Sequence, residues 1–118
     1  MIAFTFIDST SLGSKRHPKP IVYQDIPVGL TGIVNLLPAN ARKSVGALIR
    51  FEGGPFRERH DGGLPVCSAS MLTASGYPRN DGDEYFFSRE EALLFSVVLD
   101  TLGPLVATEG ILRVTYYG

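Results

Sequence analysis

Glycine and proline interrupt this chain so often that little room is left for long helices: 13 glycines and 8 prolines are spread through 118 residues. The segments between them are rich in Val, Ile, Phe, Tyr and Thr. Short β-branched and aromatic stretches bounded by turn formers are the pattern of strands joined by turns. Residues 2–7 read as a first strand, residues 8–20 as an exposed loop, and residues 21–26 as a returning strand that closes a hairpin. Residues 32–37 form a third strand ending at Pro38. In residues 44–52, Val45, Ala47, Ile49 and Phe51 alternate with Ser44, Gly46, Leu48, Arg50 and Glu52, which predicts a strand with one drier and one wetter face. The charged stretch 53–63, bracketed by glycine pairs, reads as an exposed loop or hairpin tip. A strand of small residues follows over 64–75, then turns over 76–83, and a short aromatic strand over 84–87.

One segment carries helix signals. Ser88 and Glu91 make a capping box, Glu90 and Glu91 lie where a helix dipole favours acid, and Gly103-Pro104 supplies a stop. Between them Ala92, Leu93, Leu94, Phe95, Val97, Val98, Leu99 and Leu102 form an apolar surface wider than the stripe that covers one sheet face. A helix of this kind needs further cover, which a second chain would supply. Burying four such side chains is worth about 6 to 12 kcal/mol as an upper estimate. Leu94, Phe95, Val98 and Leu102 are the expected dimer contacts. The tail 110–117 looks extended, with a second short helix as the alternative. The expected fold is therefore α+β: an antiparallel sheet of about five to seven strands over residues 1–87, with a C-terminal helix and tail over 88–118 that packs on a partner subunit's sheet, all in one domain.

Charge narrows the function. Eleven Lys and Arg against twelve Asp and Glu leave a net charge of -1, so no global field draws the chain to nucleic acid or acidic membranes. Apolar runs are too short to span a bilayer, and no secretory pattern opens the chain, so a cytoplasmic product is expected. His17 and His60, both in turn-rich charged loops, read as solvated, and Cys67 as a packed thiol. The acidic run 81–84 lacks calcium-loop spacing, and the glycine pairs lack the helix and Lys-Ser/Thr of a phosphate cradle. No catalytic residue, metal or cofactor is expected. The basic residues Arg42, Lys43, Arg50, Arg57 and Arg59, with Ser68 and Ser70 as neutral donors, either contact phosphates or form an ordinary solvated face diluted by Glu52 and Glu58.

Several fragments, in their order along the chain, resemble the coat proteins of single-stranded RNA bacteriophages: Phe4-Thr5-Phe6-Ile7-Asp8, Gly32-Ile33-Val34-Asn35-Leu36, Arg42-Lys43-Ser44-Val45 running to Ile49-Arg50, Leu64-Pro65-Val66, and Phe87-Ser88-Arg89-Glu90-Glu91-Ala92-Leu93. The region between Glu52 and Leu64 is shorter than the strand such coats carry there, and the tail is more extended than their second helix. The resemblance implies an interlocked homodimer that self-assembles into an icosahedral capsid packaging single-stranded RNA, located in the virion and assembled in host cytoplasm. Lys43, Arg50, Ser68 and Ser70 would face the RNA, and the loop 8–20 would lie outside. Two other classes compete: a small homo-oligomeric enzyme with an interface pocket, and a protein-binding or inhibitor module.

Overall fold

The computed structural model describes residues 17–29, 32–67, 74–100 and 109–118. The predicted first strand, most of the loop 8–20, and the candidate residues Ser68, Ser70 and Leu102 lie outside the described residues.

Among the described residues eight strands and two short helices follow in order: β1 (Pro20–Val28), β2 (Val34–Asn35), α1 (Pro38–Arg42), β3 (Gly46–Gly53), β4 (Phe56–Arg59), β5 (Tyr77–Arg79), β6 (Glu84–Ser88), α2 (Arg89–Leu93), β7 (Ser96–Leu99) and β8 (Gly110–Tyr117). They form two antiparallel four-stranded sheets, ordered β1-β8-β3-β6 and β2-β7-β4-β5. The architecture is thus mostly antiparallel sheet with small helices, as the α+β expectation had it, but with two sheets where one was expected.

Alternation builds the first sheet. Ala47, Ile49 and Phe51 of β3 stand beside Tyr116, Val114 and Leu112 of β8, and Ile26 of β1 stands beside Leu112 on its other side. All are buried, and so is Phe87 of β6. The second sheet supplies Phe56, Val97 and Leu99 to the same core, and Phe95 closes it, its ring 5.3 Å from Phe87 and 6.4 Å from Phe51. Val45, expected on the drier face, precedes the strand proper and is exposed. The tail is a full strand, central in its sheet.

The long C-terminal helix does not form. The capping box is present as expected: Ser88 Oγ accepts from the Glu91 amide and Glu91 Oε1 from the Ser88 amide. The helix nonetheless stops at Leu93, and Ser96–Leu99 is a strand between β2 and β4. The apolar width that suggested a partner-covered helix is instead the signature of a central strand covered on both faces, since Ser96, Val97 and Leu99 are all buried.

The stretch 53–63 is likewise no simple loop. Gly53 and Gly54, both at positive φ, turn the chain from the first sheet into the second, where β4 buries Phe56 and Glu58. The predicted third strand is cut to two residues, and Pro38, read as its end, opens α1. In the predicted strand 64–75, the described residues show a single bridge, Val66 with Ser75, and the turn-rich stretch after it contains β5.

Candidate functional site

One face of the first sheet lies on the core; the other is open. Strand register sets its pattern. Across the sheet runs a charged row, Asp25, Arg113, Arg50 and Glu84, and two residues further along each strand an apolar row, Tyr23, Thr115, Leu48 and Phe86. Tyr23, Phe86 and Ile21 are exposed at 74, 55 and 45 %. Gly46 makes the aromatic corner: a Cβ there would fall 2.3 Å from the Phe86 ring, so its absence lets that ring lean over β3 to within 6.1 Å of Tyr117.

The charges on this half of the face are largely paired with one another. Arg113 donates to Asp25 at 2.8 Å and to Glu52 at 3.1 Å, and Arg50 donates to Glu52 at 3.2 Å. The Glu52 hydrogen bond, then the Asp25 and Glu52 charges, push the Arg113 guanidinium further above its ordinary value. Each exposed pair is worth little in stability, and the patch has no excess positive charge: two arginines face three carboxylates, Asp25, Glu52 and Glu84, a net of one negative charge.

The expected RNA residues are thus only partly gathered. Arg50 does project from the open face, where its charge is engaged by Glu52. Lys43 caps the end of α1, just before the sheet end where the Val45 amide donates to the Tyr117 carbonyl, and the strand from Gly46 runs four residues, about 13 Å, before it reaches Arg50. Arg57 donates to Asp100 at 3.1 Å, and Arg59 pairs with Asp61 and donates to Ser75. Of the expected dimer contacts, Phe95 is buried in its own core and Val98 is half-buried in β7, while Leu94 is exposed.

A second cluster lies between the sheets. Glu58 is wholly buried; its Oε2 accepts from Arg79 at 3.1 and 3.2 Å, and its Oε1 lies 2.9 Å from His60 Nδ1. Arg79 stacks on Tyr85, 3.8 Å from the ring centre, and His60 stacks on Tyr77. His60 is therefore packed, with 22 % of its side chain exposed, and is not the solvated loop histidine expected. Sequence alternation held a signal for this: once Phe56 is buried, Glu58 falls on the same side of β4. Tyr23 had a similar signal, because it alternates with the half-buried Val22 and Gln24 of β1.

A groove of about 460 Å³ is lined by Gln24, Asn35, Leu36, Leu37, Pro38 and Leu93. It can seat an apolar group against two amides, and none of these side chains is an acid or a base. No helix among the described residues is long and apolar enough to cross a membrane. Compared with family models, curated proteins and solved structures, the chain matches none.

Proposed function

We propose that this protein is a self-associating coat protein of the RNA-bacteriophage type, with no catalytic role, whose open sheet face meets packaged single-stranded RNA inside a virion assembled in the host cytoplasm. The observation that carries this reading is the open four-stranded face, with Phe86 and Tyr117 in ring contact toward one end, Tyr23 exposed on the opposite edge strand, and arginines crossing its middle. Exposed aromatic rings on a sheet are the surface on which unpaired bases stack, and arginines beside them reach the backbone. Sequence fragments in coat-like order support the same reading.

The route to self-association differs from a helix laid across a partner. Edge strand β6 combines a peripheral position in its sheet with exposed Tyr85 and Phe86 and contains neither Pro nor Lys, the residues that commonly blunt an edge. A shell multiplies a weak RNA contact by its copy number, so a face without excess positive charge suffices where a monomeric RNA binder would need it.

Electron microscopy of the purified recombinant protein, with the 260/280 nm absorbance ratio of the same fractions, tests this. Uniform closed particles rich in nucleic acid are expected. A folded monomer at micromolar concentration, free of RNA, would overturn the reading.

A further inference from the structure

We propose that His60 is a proton-operated latch that ties β4 to α2 and so fastens the second sheet to the first. Every group facing the ring belongs to a different element. Glu58 comes from β4, with Oε1 2.9 Å from Nδ1; Glu91 comes from α2, with Oε2 3.7 Å from Nε2; Tyr77 of β5 stacks on the ring, and Phe87 of β6 tilts against it. Arg79 reaches the cluster through Glu58.

Neutral imidazole has one N–H. Buried Glu58 takes it, because among the described residues its Oε1 has no other donor within hydrogen-bond distance and an unsatisfied buried carboxylate oxygen is costly. Nε2 then presents a lone pair to the Glu91 carboxylate, and 3.7 Å is too long for a hydrogen bond. In that state two carboxylates, Glu58 and Glu91, are matched by the single guanidinium of Arg79. One proton on His60 supplies both the missing positive charge and a second N–H aimed at Glu91. The other oxygen of Glu91 is already fixed by the Ser88 amide where β6 runs into α2. The closed latch therefore links β4, in the second sheet, to the end of β6, in the first.

The test compares thermal unfolding of the full chain between pH 8 and pH 5.5 for wild type, His60→Gln and Glu91→Gln. Gln at 60 can still donate to Glu58 but takes no proton; Gln at 91 keeps an oxygen for the cap but has no charge. The wild-type advantage in midpoint over each variant is expected to grow by about 2 to 4 °C toward acid. The protection of the α2 amides, that is, their exchange relative to the intrinsic rate at each pH, should rise over the same range in wild type alone. Midpoints that run parallel to either variant across this range would overturn the proposal. If His60→Gln fails to fold, Glu91→Gln and the exchange of wild-type α2 still decide it.

Discussion

At Glu58 a carboxylate sits among aromatic rings with no solvent contact, and it is tolerable there only because Arg79 and His60 both point at it. The paired charges add little net stability, since their desolvation offsets most of their attraction, but removing one partner strands the other. Glu58→Ala should therefore cost about 3 to 5 kcal/mol in urea unfolding, well above an exposed-charge deletion such as Glu84→Ala. A loss below 1 kcal/mol would mean that Arg79 finds another partner. Asp61 is a different kind of acid. The Arg59 hydrogen bond, then the Gly63 amide, lower its pKa to about 2. A carboxyl depressed when folded stabilises the protein above its ordinary range near 4, and that contribution fades as pH falls through about 2. Carboxyl NMR titration should give a midpoint near 2 for Asp61, returning toward 4 in Arg59→Ala.

At the scale of elements, α2 and β7 show a local signal limited by its surroundings. The capping box starts a helix, and Ser88→Ala should cost about 1 kcal/mol, read from chemical denaturation. Beyond Leu93 the β-branched pair Val97-Val98 and two neighbouring strands compete, and cross-strand pairing with β2 and β4 is the outcome. This separates two readings of the same apolar run. If 88–102 were a helix on a partner's sheet with Leu94, Phe95, Val98 and Leu102 in the contact, Val97→Asp would fall outside those contacts and leave a folded protein. In the fold described here Val97 is wholly buried, so Val97→Asp should abolish cooperative unfolding and near-UV circular dichroism, with no folded monomer on size exclusion.

For the whole molecule, the proposed coat function gives the two halves of the open face, one with exposed aromatic rings and one with arginines already paired to carboxylates, different expected parts in RNA contact. Stacking on an aromatic ring is worth about 1 to 3 kcal/mol per base, whereas a phosphate contact by an arginine already held by Glu52 must first give up that bond. Tyr23→Ala/Phe86→Ala is therefore expected to lower the 260/280 nm ratio of purified particles more than Lys43→Ala/Arg50→Ala. The basic pair should contribute at most a salt slope of roughly 0.7 per contact in log affinity against log salt. Equal RNA content in both double variants and in wild type, at low and moderate salt, would remove this face from RNA binding.

The amino-acid sequence alone determined the class and several strands of this protein, because alternation and turn residues act over a few neighbours. Residues 44–52 and 84–87 were legible as strands, 110–117 as an extended tail with a second short helix as the alternative, Ser88 and Glu91 as a cap, and Arg50 as a residue of the wetter face. What it left open was everything settled between distant segments. Helix and strand compete on nearly equal local terms over 94–99, and the choice went to the strand because β2 and β4 offer backbone partners on both sides. Residues 56–59 looked like a charged loop, since nothing nearby in sequence shows that Arg79 and His60 would neutralise a buried Glu58. Tyr23, Phe86 and Tyr117 lie far apart along the chain and become one surface only through the order β1-β8-β3-β6, which pairing energy over the whole sheet selects.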